Sequence, residues 1–118
     1  MKVGIDLIEI SRFEKIEKDK NKIQKIFTEN EIKYFEKFKF KTCHIAGTFC
    51  AKESFVKALK IGFNKDLTPL DIEILHEENG NPYINTSKEK IKKLLNNKNV
   101  DVSISHSDTM STAVCIIY

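Results

Sequence analysis

The chain has 118 residues with 41% hydrophobic and 31% charged side chains, and its formal net charge is only +3. This composition is that of a globular protein with one domain, residues 1–118, and it argues against a disordered chain. No signal peptide or membrane-spanning run is present, and the three cysteines form no Cys-x-x-Cys pair, so we expect no membrane partner and a reduced, cytoplasmic setting.

The first predicted element is a strand over residues 3–10, which is rich in β-branched side chains. Because side chains alternate along a strand, Asp6 shares a face with the apolar residues Ile8 and Ile10. A carboxylate on such a face needs a cation or several hydrogen-bond donors. Asp6 is therefore a candidate ligand for a cation, and the alternative is a bulge or strand end that faces water.

Ser11 is the predicted N-cap of a helix that runs to about residue 19, with Phe13 and Ile16 on its inner face. Arg12, the only arginine of the chain, lies at its start. A guanidinium group grips carboxylates and phosphates in a way that lysine does not, although a plain surface arginine is the alternative. Lysines crowd three further stretches, which indicates solvated helix faces or an acidic partner: residues 15–25, 37–41 and 88–98.

Residues 28–31, Thr-Glu-Asn-Glu, form a capping box that starts a second helix. Tyr34, Phe35 and Phe38 recur on it at helical spacing, which is typical of core packing. Stacking against nucleotide bases is the less specific alternative.

The longest predicted helix spans residues 43–60 and ends near Gly62. So much of its circumference is apolar that we expect it in the middle of the domain. Lys52 nevertheless lies inside the apolar stripe, and Glu53 lies at its edge with Lys57 one turn further on. Glu53 and Lys57 form either an ordinary surface ion pair or a site where a buried carboxylate awaits a cation.

The second half of the chain is predicted to contain two hairpins separated by a helix. The first hairpin pairs residues 72–76 with 82–86 around an Asn-Gly turn. A capping box over residues 86–89 opens the helix, and Asn96 and Asn97 stop it. Residues 100–106 and 112–118 form the last hairpin, whose second strand is apolar on both faces, as expected of a strand covered by helices.

This element order predicts an α+β fold with a mainly antiparallel sheet packed against a long central helix and shorter helices. His76 and His106 each end an apolar strand face. For His76 the plain interpretation is a satisfied or exposed histidine, and a ligand is the alternative. For His106 the plain interpretation is core packing, but it lies among hydroxyl side chains and is the stronger functional candidate.

Five short motifs recur together along nearly the whole chain: residues 4–10, 27–31, 51–58, 80–83 and 103–107. In this order and spacing they resemble the small 4′-phosphopantetheinyl transferases of the holo-(acyl-carrier-protein) synthase type. The resemblance implies transfer of phosphopantetheine from coenzyme A to a serine of an apo acyl carrier protein, with release of 3′,5′-ADP. It also implies Mg²⁺ dependence, a role in fatty acid biosynthesis, and a homotrimer with its site at the subunit interface.

The resemblance also assigns roles to individual residues. Asp6 and Glu53 correspond to the Mg²⁺ ligands of the family. Lys57 corresponds to a lysine that contacts the phosphates of the coenzyme, and His106 to a histidine that bonds a phosphate oxygen. Arg12 corresponds to a residue that docks the carrier protein. Asp6, Glu53 and His106 are thus the expected catalytic residues, with Glu53 or a water held by the metal as the base.

Three positions depart from the family pattern: Thr48 replaces a common arginine, Ser54 an alanine, and Asn81 a frequent basic residue. The first departure removes an expected nucleotide contact, for which Lys52 or a lysine of residues 37–41 is a candidate substitute. The alternative function is a non-catalytic basic module that binds an acidic protein or nucleic acid. It leaves Asp6 and Glu53 unexplained, because carboxylates repel phosphate when no metal lies between them, so we expect no nucleic-acid partner.

Overall fold

A computed structural model describes residues 1–118, which form five strands, four α-helices and three short 3-10 helices. The strands are β1 (Lys2–Glu9), β2 (Ile74–His76), β3 (Pro82–Ile84), β4 (Val100–His106) and β5 (Met110–Ile117). The α-helices are α1 (Lys20–Ile26), α2 (Glu29–Lys37), α3 (Thr42–Ala58) and α4 (Glu89–Leu95), and the 3-10 helices are Ile10–Phe13, Ile16–Lys18 and Pro69–Asp71. No helix combines the length and the apolar character needed to cross a bilayer.

The main sheet has the strand order β1-β5-β4, and both pairings are antiparallel. A separate hairpin joins β2 to β3. Helix α3 packs across one face of the main sheet, and the buried apolar side chains form one cluster of 23 residues around it. The predicted α+β class, with a long central helix on an antiparallel sheet, is confirmed.

Strand β1 and helix α3 approach each other closely because residue 4 is glycine. A Cβ atom at Gly4 would overlap the backbone of Ser54 and Ala58 on α3. Any other residue would therefore push the strand away from the helix. This contact places the inner face of β1, which includes Asp6, directly against α3.

The α-helix predicted from Ser11 to about residue 19 is wrong. Two 3-10 helices stand in its place, and α1 begins only after Asp19, whose side chain accepts a hydrogen bond from the Lys22 amide at 3.1 Å. The buried residues Ile10, Phe13 and Ile16 recur every third position, which is the period of a 3-10 helix and not of an α-helix.

The predicted ends of the other helices are partly confirmed. Thr28 caps α2 in the predicted capping box, and Asn96 ends α4 with a φ of 48°. The predicted capping box at residues 86–89 is wrong, because Lys88 precedes α4 without a side-chain cap. At the end of α3 the left-handed position belongs to Lys60, with a φ of 65°, and not to Gly62.

The outer face of the main sheet is apolar and open. Val3, Ile5 and Leu7 on β1 are 52%, 64% and 62% exposed, and Val114 and Ile116 on β5 are half-buried. The expectation that β5 is covered on both faces is therefore wrong, because helix α3 covers only the inner one. Contiguous apolar surface of this kind is typical of a contact with another protein chain.

Candidate functional site

The Asp6 carboxylate lies in the contact between β1 and α3 and is 9% exposed. One carboxylate oxygen, Oδ1, accepts a hydrogen bond from the Lys57 ammonium at 3.0 Å. The other, Oδ2, accepts one from the Cys50 thiol at 3.3 Å. Lys57 and Cys50 both belong to α3, so one helix holds both oxygens of the strand carboxylate.

Glu53 lies on α3 one turn before Lys57 and is half-buried. Burial and the negative charge of Asp6 raise the pKa of Glu53, whereas Lys57 and Arg12 act to lower it. Glu53 shares one face of α3 with Cys50 and Lys57, and both of these residues contact Asp6, so the two carboxylates lie near each other. The Glu53–Lys57 surface pair that the sequence suggested is replaced by a Lys57–Asp6 pair.

The donor set at this point fits a hard divalent cation. Two carboxylates from facing elements repel each other unless positive charge lies between them. No cluster of three or more His, Cys, Asp or Glu side chains suited to a metal occurs in the structure. A two-carboxylate site suits Mg²⁺, which prefers oxygen ligands and keeps several of its waters. Asp6 and Glu53 are the residues that would hold it.

His106 lies away from these carboxylates within one chain. It ends β4, at the sheet edge opposite β1, where it is exposed and its Nδ1 lies 3.2 Å from the Ser107 carbonyl oxygen. Two strand spacings, or about 10 Å, separate the edges. A cavity of about 140 Å³ adjoins His106, and the carboxylates do not line it. The structure brings together Asp6, Glu53 and Lys57, but not His106.

The cavity beside His106 is walled by rings of α2, α3 and β2. Tyr34 stacks on His76 with ring centroids 3.7 Å apart, and His44 meets the Tyr34 ring edge-on at 5.7 Å. Thr48, where the resemblance implies an arginine, donates its hydroxyl to the His44 carbonyl oxygen at 2.9 Å. Thr48 therefore supplies no cation to this cavity.

His76 should make stability depend on pH. Burial, and secondarily the charge of His44, lower the pKa of His76 from 6.5 to about 4. Between these values the unfolded chain binds a proton that the folded chain does not, so stability present above pH 6.5 is lost as the pH falls towards 4. With solvent screening we expect a loss of about 1–2 kcal/mol.

Urea unfolding at pH 7 and pH 5 measures this effect, and His76→Phe is the matched variant because phenylalanine keeps the stack on Tyr34. The pH dependence should be smaller in the variant than in the wild-type chain. Equal pH dependence in the two proteins would contradict the assignment to His76.

Lys52 is fully buried and belongs to the core. Its ammonium lies 2.6 Å from Glu31 Oε1, and it donates to the carbonyl oxygens of Ile26 and Pro69 at 2.7 and 2.8 Å. Glu31 Oε2 in turn accepts from the Ile74 amide at 2.8 Å. All donors of Lys52 are thus occupied, so the suggestion that Lys52 replaces a missing phosphate contact is wrong.

A groove of about 310 Å³ beside Arg12 lies between the 3-10 helices, α1 and α3. Its floor is apolar, and basic side chains stand along it, with Asp19 as the one acidic member. The apolar residues are Phe13, Ile16, Ile26 and Phe49, and the basic ones are Arg12, Lys15 and Lys22. This surface suits a partner that presents an apolar side chain among acidic ones.

Two contacts, one in the site and one in the core, were not predicted from the sequence. The sequence indicated no partner for Cys50, yet its thiol contacts Asp6, and the Lys52–Glu31 pair joins residues 21 positions apart. A signal was present for the second, because a lysine inside an apolar stripe requires a buried partner. For Cys50 the seven-residue spacing to Cys43 gave no indication of a contact with β1.

Comparison with known proteins shows one consistent family. A model of the 4′-phosphopantetheinyl transferase superfamily matches residues 2–115. The holo-[acyl-carrier-protein] synthase of Clostridium botulinum (strain Alaska E43 / Type E3) is 45% identical over 118 residues, which cover 98% of this chain and 94% of that protein. The synthase of Listeria monocytogenes serotype 4b (strain F2365) is 37% identical over 118 residues, with 98% and 95% covered.

Two solved structures extend this likeness to the fold. The Helicobacter pylori holo-[acyl-carrier-protein] synthase in complex with coenzyme A superimposes with a TM-score of 0.83 at 34% identity, and the match covers 98% of this chain and 99% of that one. The synthase from Bacillus anthracis in complex with CoA (3′,5′-ADP) gives a TM-score of 0.80 at 34% identity, with 98% and 94% covered.

Proposed function

The chain belongs to the 4′-phosphopantetheinyl transferase superfamily and, within it, to the holo-(acyl-carrier-protein) synthases, and from this premise we propose its reaction. Residues 1–118 act as one transferase domain that moves 4′-phosphopantetheine from coenzyme A to a serine of an apo acyl carrier protein. The reaction depends on Mg²⁺, releases 3′,5′-ADP, takes place in the cytoplasm and serves fatty acid biosynthesis. The paired carboxylates Asp6 and Glu53, with Lys57 beside them, are the observation that carries this proposal.

Asp6, Glu53 and Lys57 each have a role in this reaction. When bound, Mg²⁺ neutralises charge on the pyrophosphate of the coenzyme. Asp6 and Glu53 would hold the metal, and the half-exposed Lys57 ammonium, 3.0 Å from Asp6 Oδ1, would meet a phosphate oxygen of the coenzyme. Glu53, or a water held by the metal, is the candidate to receive the proton of the serine hydroxyl.

Intact-mass spectrometry of a carrier protein tests the proposal. The protein is incubated with coenzyme A, Mg²⁺ and an apo acyl carrier protein, and a phosphopantetheine adduct is expected on the carrier. A carrier whose acceptor serine is replaced by alanine, and a reaction with EDTA, serve as controls. The proposal fails if no adduct forms on a carrier that another transferase does modify.

We further propose that the active form is a homotrimer with its site at the subunit interface. Two observations support this assembly. His106 lies on the edge strand opposite the strand of Asp6, and a second copy is the route by which we expect a histidine to reach the carboxylates. The open apolar face of β1, formed by Val3, Ile5 and Leu7, offers a surface for that contact.

Ile5→Lys should therefore separate the subunits. A charge on the most exposed residue of this apolar face has to be desolvated in any interface, so we expect a monomer in solution and loss of most transferase activity. Sedimentation equilibrium measures the mass. Ile61→Lys is the matched control, because Ile61 is 41% exposed but lies outside the sheet. An unchanged mass and activity in Ile5→Lys would contradict the proposed interface.

We also propose that the groove beside Arg12 docks the carrier protein. Arg12→Ala should raise KM for the carrier by roughly tenfold, as expected for loss of a charge-assisted hydrogen bond, with kcat nearly unchanged. The loss should shrink at high salt, because screening weakens the contact in the wild-type chain as well. Lys93→Ala, on helix α4, which does not line the groove, is the control. A change in kcat alone would place Arg12 elsewhere in the reaction.

A further inference from the structure

We propose that Cys50 is a positioning residue whose thiol fixes the orientation of the Asp6 carboxylate. The inference rests on the proposed function, because it concerns a carboxylate that is proposed to hold the metal. It goes beyond that function by assigning a task to a fully buried residue that has no role in the reaction proposed above.

The direction of the contact follows from the groups involved. A carboxylate has only acceptor positions, so the hydrogen bond between Cys50 Sγ and Asp6 Oδ2, at 3.3 Å, takes its proton from the thiol. The carbonyl oxygen of Ser111 is a second acceptor at 3.4 Å. The charged carboxylate is the stronger of the two acceptors.

Cys50 and Lys57, which each contact one carboxylate oxygen of Asp6, differ in how freely their side chains can move. Cys50 is 0% exposed and has no room to turn its side chain away from β1. The Lys57 side chain is 52% exposed and is free to leave Oδ1. Oδ2 is therefore the fixed oxygen of the carboxylate, and Oδ1 is the oxygen available to a cation that displaces Lys57.

The thiol reduces the freedom that Asp6 would otherwise have to lose on binding a cation. With only Lys57 as a partner, the carboxylate rotates about its χ angles whenever the lysine leaves. With Cys50 in place, one carboxylate oxygen stays hydrogen-bonded to α3, the helix that also carries Glu53. Preorganisation of this kind raises affinity by removing an ordering cost.

Binding of Mn²⁺ to the free protein, followed by the EPR signal of unbound Mn²⁺, tests the inference without coenzyme or carrier. Cys50→Ala should weaken Mn²⁺ binding about three- to tenfold, the effect expected for one modest hydrogen bond. Cys50→Ser keeps a donor and should stay within about twofold of the wild-type chain. Cys50→Val fills the space without a donor, so it should match Cys50→Ala and shows that volume is not the cause.

Thermal unfolding identifies any variant that fails to fold. If Cys50→Ala is such a variant, the Mn²⁺ affinities of Cys50→Val and Cys50→Ser are compared instead. Asp6→Asn is measured beside them. If Asp6→Asn loses Mn²⁺ affinity but Cys50→Val does not, the role of Cys50 is refuted and the metal site stands. If Asp6→Asn binds Mn²⁺ as the wild-type chain does, the metal site is refuted and the role of Cys50 with it.

Discussion

Asp6→Asn and Glu53→Gln are each expected to lower the transferase turnover number by about a thousandfold, the loss typical when a group that stabilises transition-state charge is removed. Both substitutions keep the shape of the side chain and remove its charge. The fold should survive, because the Lys57 ammonium is half-exposed and its pair with Asp6 contributes at most about 1 kcal/mol. The rate is measured by carrier mass at saturating coenzyme A and Mg²⁺.

A third variant, Glu78→Gln, is the control for loss of negative charge. Glu78 is exposed, lies in the turn between β2 and β3, and takes part in no ion pair. Its activity should equal that of the wild-type chain. Near-normal turnover in Asp6→Asn or in Glu53→Gln would contradict the assignment of that residue to the metal.

Lys52→Met is expected to lower the free energy of unfolding by about 3–5 kcal/mol, because it leaves the Glu31 carboxylate buried without its counter-ion. The side chains of both residues are 0% exposed. Burial raises the pKa of Glu31 and lowers that of Lys52, and their mutual attraction opposes both shifts. Urea unfolding followed by circular dichroism measures the loss.

Two further variants identify the cause of that loss. Lys57→Met makes the same substitution on the same helix at a half-exposed pair and should cost about 1 kcal/mol or less. Glu31→Gln combined with Lys52→Met removes both charges and should recover part of the stability. Equal costs for Lys52→Met and Lys57→Met would show that burial of the Lys52–Glu31 pair is not the source of the effect.

The placement of Asp6 and Glu53 could be predicted because it depends on local periodicity. Alternation along β1 turned Asp6 towards the core, and the helical wheel put Glu53 at the edge of the apolar stripe. The partner of Lys57 could not be predicted in this way. Lys57 meets Asp6 only because α3 docks on β1, a contact between residues 51 positions apart.

The separation of His106 from the carboxylates was equally hidden in the sequence. Strand periodicity turned His106 inwards like Asp6, but only the strand order β1-β5-β4 shows that the two lie at opposite edges. The prediction of the first helix was wrong for a different reason. The three-residue recurrence of Ile10, Phe13 and Ile16 was visible, but a strong N-cap residue and many good helix formers favoured an α-helix.

The glycine at residue 4 sets the distance between the Asp6 carboxylate and the charged side chains of α3. Because the backbones of β1 and α3 touch at Gly4, main-chain atoms fix how far the strand carboxylate stands from the helix that carries Glu53 and Lys57. Core side chains elsewhere along α3 can change in size without widening that span, provided that the contact at Gly4 is kept. We therefore expect the site to tolerate changes in the size of the surrounding core side chains. It should not tolerate any side chain at residue 4, two residues before Asp6.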